Sequence, residues 1–234
     1  MHKIIITVLF FALSIAASAQ SDRYISFTQK AEILDKGKKL SSETGVYFDK
    51  VKTTIVKHIT LPEEAVTATN ALGETEIYYP KTNHVSFLHL ESMSSKRNLI
   101  YYFANNFTDH LGLADEGFSL ISRNYEDNYL VTMWQAPASI HQIDKVKMVF
   151  EQGIPIFAEY LNVEGKSQKK IYYSQYQDLY SFRMPMKVIE ISYKPSGDSI
   201  VSRTIFSDMQ ISGTPNSEYF NFKTPDDAIP MEKK

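Results

Sequence analysis

Apolar and polar residues begin to alternate at Tyr24, directly after an apolar leader. Alternation with a period of two predicts a β-strand that has one buried face and one solvated face. A basic turn around Gly37 follows, and the next segment alternates in the same way. The two segments therefore predict a pair of strands with a shared apolar face. The apolar positions on that face are Ile25, Phe27, Ala31, Ile33, Val46 and Phe48.

Most of the remaining chain also has the pattern of strands. Short alternating or apolar segments run from residue 53 to residue 209, separated by turns rich in Gly, Pro, Asn and Asp. They predict a mainly β fold built on an antiparallel sheet of about eleven strands. A sheet of that size does not stay flat, so we expect it to curl and to have a concave apolar face. The residues after Pro225 are expected to form a loose tail.

One segment in the middle of the chain has helical spacing instead. Between residues 95 and 112 the apolar side chains recur three and four positions apart, which predicts an amphipathic helix. A single helix across a concave sheet cannot fill it as a second sheet would, and this leaves room for an apolar ligand. A sheet that closes tightly over its own side chains fits the pattern equally well. The helical positions are Leu99, Ile100, Phe103, Phe107 and Leu111.

The N-terminus has the three parts of a secretory signal peptide. A short basic start precedes an apolar run from Ile4 to Ile15, and a small-residue Ala-Ser-Ala site ends at Ala19. This pattern predicts residues 1–19 as a signal peptide cleaved after Ala19. A membrane anchor would need about 20 apolar residues, and the run is shorter. We therefore expect an exported protein with a single domain over residues 20–234.

Composition and motifs favour binding over catalysis. The net charge is −2 and there is no Cys, so nothing indicates a nucleic-acid surface, a disulfide or thiol chemistry. The histidines lack the spacing of a metal site, and no nucleophile or phosphate-binding motif is present. We expect no enzyme activity, no cofactor and no metal. An exported hydrolase stays open as an alternative, because catalytic groups need not be close in sequence.

Several segments, in their order and spacing, resemble the LolA-like family of periplasmic carriers of outer-membrane lipoproteins. The similarity lies in "SFTQK" at 26–30, "GVYFDK" at 45–50, "ITLPEEAVTAT" at 59–69, "LGETEIYYPKTNHV" at 72–85 and "EYFNFKTPDDA" at 218–228. The resemblance implies a strongly curved, incompletely closed antiparallel barrel, with one or more helices covering its concave face. It also implies a monomer of the periplasm that binds acyl chains of lipoproteins or another lipid.

By the same resemblance, the partners are acylated lipoproteins or lipids, an inner-membrane donor protein and an outer-membrane acceptor protein. Acyl chains would enter the concave face and be passed toward the outer membrane. Alternation alone places Phe27, Ala31, Val46 and Phe48 on one face of the strands. It does not say whether that face contacts a ligand or forms ordinary core. The residues implied to line the apolar cavity are Phe27, Ala31, Val46, Phe48, Ile55, Tyr79, Phe87, Leu99, Phe103 and Phe107.

The chain departs from the family pattern at three places. No amphipathic helix precedes Phe27, so part of the cover is expected to be missing. Lys50 stands where the family has an Arg that governs opening, which makes it the candidate gate position, although Lys lacks the planar fork of Arg. Lys57 stands where an inward aromatic is expected, and a charge there is costly unless it is paired or reaches solvent. These departures keep open a non-transporting module that senses lipids or proteins in the cell envelope.

Overall fold

The computed structural model describes residues 22–231, which form a single 14-stranded sheet. The first six strands are β1 Tyr24–Asp35, β2 Lys38–Asp49, β3 Thr54–Leu61, β4 Ala65–Thr69, β5 Glu74–Tyr79 and β6 His84–His89. Helix α1 is Leu99–Ala104, and the 3-10 helices are Glu91–Met93, Ser95–Arg97 and Glu218–Asn221. The later strands are β7 Ser119–Glu126, β8 Tyr129–Gln135, β9 Lys145–Glu151, β10 Ile154–Leu161, β11 Ser167–Leu179, β12 Phe182–Tyr193, β13 Ser199–Ser212 and β14 Ile229–Pro230.

The strand order explains how the chain is laid out. It reads β14-β6-β5-β4-β3-β2-β1-β13-β12-β11-β10-β9-β8-β7, with every pair antiparallel except β14 with β6. From β1 the chain builds outward to β6 near one edge and then crosses to β7 at the other edge. From β7 it returns strand by strand until β13 pairs with β1. The residues between β6 and β7 must therefore pass over a face of the sheet.

Strand register divides the side chains between two faces. Ile25 lies opposite Phe48, and Phe27 lies opposite Val46, so these four share one face, termed the inner face. The core cluster that contains them also contains Ile100, Phe103 and Ala104 of α1. The other, outer face carries Tyr24 and Tyr47 and is covered by the 3-10 helix Glu218–Asn221. There the rings of Tyr47 and Tyr219 stack at 4.8 Å, and Tyr24 meets Phe220 edge-on at 5.0 Å.

The sheet curls but does not close. Arg97 lines one cavity together with Thr67 of β4 and another together with Val146 of β9. In a flat sheet, strands spaced by about 4.8 Å would place β4 and β9 about 38 Å apart. One side chain approaches both strands only because the sheet bends around it. Within residues 22–231, β7 and β14 end the sheet and do not pair with each other.

The mainly β, curled architecture agrees with the sequence, but the strand count is 14 rather than about eleven. A strand of two residues escapes pattern analysis because it is too short to show a period. Strand β14 has two residues, and it lies in the segment expected to be a loose tail. It is held there by backbone bonds from Ile229 N to Asn83 O and from Met231 N to Val85 O, both 2.8 Å.

The predicted helix is also much shorter than its apolar pattern. Helix α1 covers six residues and ends at Ala104. Asn105 Nδ2 then donates to the carbonyl oxygen of Tyr101 at 2.8 Å, and Asn106 adopts a φ of +58°. Asn tolerates this left-handed conformation better than most residues, and it breaks the helical ladder. Phe107 and Leu111 consequently lie beyond the helix, Leu111 in a turn.

We expect Gly73→Ala to destabilise the protein more than Gly153→Ala does. Both glycines have a φ of +82°, so each substitution carries a backbone cost of about 1–2 kcal/mol. A Cβ on Gly73 would also collide with the backbone carbonyl of Leu90, whereas a Cβ on Gly153 would meet open space. Steric overlap adds about 1–3 kcal/mol. Urea unfolding measures the difference, and equal losses for the two variants would contradict this account of the β4–β5 loop.

Candidate functional site

Residues 90–117, termed the cover segment, cross the inner face between β6 and β7. Hydrogen bonds attach the first part of this segment to the sheet. Ser94 Oγ donates to the carbonyl oxygen of Ala71 at 2.7 Å, and Ser95 Oγ donates to that of Thr53 at 2.5 Å. The side chain of Asn98 then accepts from the backbone N–H of Ile100 and caps α1. The start of α1 is thereby fixed relative to β3 and β5.

Helix α1 fills one part of the inner face completely. Its Ile100, Phe103 and Ala104 have no exposed surface, and neither have Phe48 and Met184 of the sheet beneath them. Burial of a large apolar side chain stabilises a fold by about 1.5–3 kcal/mol. The helix is therefore a packed part of the core, and the space that remains on the inner face lies along its side.

Space remains beside α1, in three small cavities that share Arg97. Cavity A is about 340 Å³ and lies against β3 and β4, cavity B is about 300 Å³ and lies against β1 and β11–β13, and cavity C is about 160 Å³ and lies against β9–β11. Lys57 lines both A and B, whereas Leu99 and Tyr173 line both B and C. The defining residues are Ile55, Ile59 and Thr67 for A, Phe27, Val188 and Phe206 for B, and Leu113, Met148 and Ala158 for C.

Two larger clefts lie elsewhere and suit an acyl chain less well. One, about 570 Å³, lies at the ends of β4–β6 and includes Glu74, Glu76 and His89. The other, about 550 Å³, lies between the cover segment and the β4–β5 loop and includes Lys96 and several acidic residues. Both place several charged side chains in their lining, among them Glu74 and Glu76 in the first and Asp115 and Glu116 in the second. Cavities A and B adjoin the buried core at Phe27 and Ile55 and are the better candidate site.

The lining of cavities A and B combines apolar and charged side chains. The positive charge of Arg97 is balanced by two carboxylates, since its guanidinium lies 3.2 Å from Glu116 Oε1 and 3.5 Å from Glu91 Oε1. Lys57 forms no ion pair or hydrogen bond with residues 22–231, and burial lowers the pKa of its ammonium group. Burial also raises the pKa of Tyr173 well above its ordinary value, so this phenol is neutral at physiological pH. Glu190 faces cavity B from β12.

Solved structures with the same architecture identify the fold. A LolA superfamily protein from Nitrosomonas europaea matches with a TM-score of 0.56 and 14% sequence identity, over 85% of this chain and 90% of that chain. The chain has a LolA-like fold. A putative outer membrane lipoprotein-sorting protein domain from Vibrio parahaemolyticus matches with the same TM-score at 10% identity, over 86% of this chain and 91% of that one.

A DUF1329 family protein from Desulfovibrio piger has a TM-score of 0.56 and 14% identity, over 86% of this chain and 90% of that chain. No protein-family model and no curated protein matches the sequence, so the likeness rests on three-dimensional structure. The LolA-like resemblance inferred from the ordered motifs is thus confirmed as a fold. Among residues 22–231, no helix has the length and apolar character needed to cross a membrane. The same residues contain no group of His, Asp and Glu side chains that could hold a metal ion.

Seven of the ten residues expected to line a LolA-like cavity lie either in α1 or on the inner face next to it. Some of them reach a cavity, and the others belong to the packed core. Phe27, Ile55 and Leu99 reach cavities A, B or C. Ala31 is half-buried on the inner face, opposite Thr204 of cavity B. The other three, Val46, Phe48 and Phe103, are fully buried in the packed core.

The remaining three residues lie outside cavities A, B and C. In the strand register, Phe87 lies opposite Glu76, and Glu76 lies opposite Ala68. Following this register across the sheet places Phe87 on the outer face, where it is 58% exposed. Tyr79 is half-buried on the inner side of β5 but does not line these cavities. Phe107 lies beyond the end of α1, with its ring 5.9 Å from that of Tyr101. Phe87 and Phe107 line the two larger clefts instead of cavities A, B and C.

Lys50, the candidate gate position, is part of an N-terminal clasp rather than of the cover segment. Its Nζ lies 2.6 Å from Asp22 Oδ2, and Ser181 Oγ donates to the same carboxylate. Next to it, Asp49 is almost fully buried and binds Arg23 through two hydrogen bonds of 3.2 and 3.0 Å. These pairs hold the start of β1 against the end of β2 and the β11–β12 turn.

Sequence reasoning missed Arg97, Tyr173 and Glu190 of the cavity lining. Arg97 belongs to a 3-10 turn, where no periodicity marks an inward side chain. Tyr173 and Glu190 lie on β11 and β12, whose inward positions mix apolar and polar residues. Their alternation is therefore weak, and the only available signal was strand pairing with Val188 and Ile171.

The Asp49 clasp predicts a loss of stability in acid. Burial pulls the pKa of Asp49 upward, but hydrogen bonds from Arg23 and from two backbone N–H groups outweigh it, and the pKa lies below its ordinary value. Because the pKa of this carboxyl group is lower in the folded state than in the unfolded state, its ionised form stabilises the protein above about pH 4. This stabilisation is lost as the pH falls through the folded-state pKa. We expect Asp49→Asn to lose about 2 kcal/mol at pH 7 and less at pH 3.

Urea unfolding of both proteins at pH 7 and at pH 3 measures this effect. Asp198→Asn, in an exposed turn, is the matched control and should leave the difference between the two pH values unchanged. An equal loss for Asp49→Asn at both pH values would show that the charge of Asp49 does not carry the clasp.

Proposed function

We propose that this protein is a periplasmic carrier that takes up acyl chains on its inner face and passes them toward the outer membrane. The observation that supports this proposal is the unfilled space of cavities A and B beside an otherwise packed α1. The LolA-like fold and the signal-peptide pattern of residues 1–19 agree with it. The proposed cargo is an acylated lipoprotein or another lipid, received from an inner-membrane donor and released to an outer-membrane acceptor.

Burial of alkyl chains can drive loading without any covalent step. Each methylene removed from water contributes about 0.8 kcal/mol. Cavities A and B, at about 340 and 300 Å³, lie at the small end of the range of about 300–1,000 Å³ that is usual for ligand pockets. They suit one alkyl chain. A lipid with several chains requires α1 to move away from the sheet.

Displacement of α1 by a larger cargo has a modest net cost in this scheme. The helix would expose the apolar surfaces of Ile100 and Phe103 and uncover Phe48 and Met184. Incoming acyl chains would cover the same surfaces, so one set of apolar contacts replaces another. Since α1 has only six residues, few backbone hydrogen bonds need to change. Release then requires an acceptor with a better apolar site.

A sensing module is a second candidate, favoured by strand β7. Every residue of β7 is exposed, and within residues 22–231 the strand is paired on one side only, with β8. An open strand edge can bind an extended segment of another protein by adding a strand to the sheet. Deletion of the gene separates the two functions. Loss of a carrier retains lipoproteins in the inner membrane, whereas loss of a sensor changes a stress response alone.

The carrier proposal predicts that filling cavity B abolishes lipid binding. Val188 faces cavity B, and its neighbour Ile189 lies on the outer face of the same strand, with both side chains half-buried. Val188→Trp should remove most bound lipid from protein isolated from the periplasm, as measured by native mass spectrometry. Ile189→Trp is the matched control and should retain it. Wild-type protein that carries no lipid and refuses fatty acids would rule out the carrier.

A further inference from the structure

Lys57 occupies the junction of cavities A and B. In the strand register it lies between Val46 of β2 and Thr67 of β4, on the inner face. It lines cavity A together with Ile55 and Ile59, which are its inward neighbours on β3, and it also lines cavity B. A ligand in either cavity therefore lies next to the Lys57 side chain.

The charge of Lys57 is not balanced by the protein. Arg97 borders the same two cavities, but Glu116 and Glu91 neutralise it. Lys57 has no such partner among residues 22–231, and burial is the one cause that lowers the pKa of its ammonium group. The acidic group that faces cavity B is Glu190 on β12, which accepts a hydrogen bond from Ser192 Oγ at 3.1 Å. No carboxylate offsets the desolvation of Lys57 within the described chain.

Lys57 is half-buried, and partial burial of a cation without a partner is unfavourable, whereas an apolar residue at this position would carry no electrostatic cost. An anion from outside the protein would supply the missing partner. The negative charge of Glu190 opposes an anion on the β12 side, so an anion is favoured on the Lys57 side of cavity B. Phe27, Val188 and Phe206 supply apolar surface to that cavity, next to the uncharged polar groups of Gln29 and Thr204.

We propose that Lys57 binds the anionic head group of a single-chain amphiphile whose alkyl chain lies in cavity B. This inference rests on the proposed function and names the class of ligand. The volume of about 300 Å³ fits one chain, and the ammonium group selects a carboxylate or phosphate head over a neutral one. The chain supplies affinity through burial, and Lys57 supplies selectivity.

Three ligands with the same twelve-carbon chain test the proposal: laurate, dodecyl phosphate and dodecanol. We expect the wild-type protein to bind the two anions about tenfold more tightly than dodecanol, because one hydrogen bond between charged groups strengthens binding by about that factor. Lys57→Met should remove the preference while leaving dodecanol binding unchanged. Lys147→Met, a half-buried lysine on the outer side of β9, is the matched control and should keep the preference.

Stability provides a second readout that separates a ligand site from a structural role. Lys57→Met removes a half-buried charge that has no partner among residues 22–231, so it should unfold at an equal or higher urea concentration than the wild type. Acetate and inorganic phosphate alone should not displace laurate, which distinguishes an amphiphile from a free anion. If only one of the two anionic ligands shows the preference, its head group identifies the natural source.

The outcomes separate failure of this inference from failure of the proposed function. If the wild type binds all three ligands equally, or if Lys57→Met keeps the preference for anions, the role of Lys57 is overturned and the carrier survives. If none of the three ligands binds, the carrier proposal is overturned as well. Displacement of laurate by acetate or phosphate alone would overturn the assignment to an amphiphile.

Discussion

The layout of the chain imposes the constraint on which the rest of the structure depends. After β6 the chain is next to one edge of the sheet, and it must resume with β7 at the opposite edge. The cover segment therefore has to cross a face, and it crosses the apolar inner face, where its own apolar residues are buried. Curling of the sheet shortens this crossing and lets Arg97 approach strands from both halves. A covered concavity thus follows from connectivity.

The crossing occupies only part of the inner face. Helix α1 has six residues, because Asn105 and Asn106 end it early, and it packs over the region around Phe48 and Met184. The neighbouring regions keep space lined by Gln29, Thr204 and Lys57 as well as by apolar groups. Polar groups allow water to occupy such a space, whereas a dry apolar void costs stability. The partly polar lining explains how the protein can be stable while its cavities hold no ligand.

The sequence predicted those parts of the fold that a local period can encode. The alternation in β1 and β2 placed Phe27, Val46 and Phe48 on one face, and strand register confirms this. It did not predict the facing of Phe87, because Val85 and Phe87 share one parity and the pattern does not say which face of β6 is covered. It also did not separate packed core from vacant space, since both need apolar residues. That difference depends on where α1 ends, and two asparagines decide it.

Lys57 shows how a departure from pattern can carry more information than agreement with it. Local consistency favours an apolar residue at an inward position of β3, flanked by Ile55 and Ile59. A lysine there weakens the core, and proteins accept such costs mainly at functional sites. Methylene burial contributes similarly for every alkyl chain, so it cannot distinguish one lipid from another. A fixed charge at the junction of two cavities can distinguish lipids, because it interacts with the head group alone.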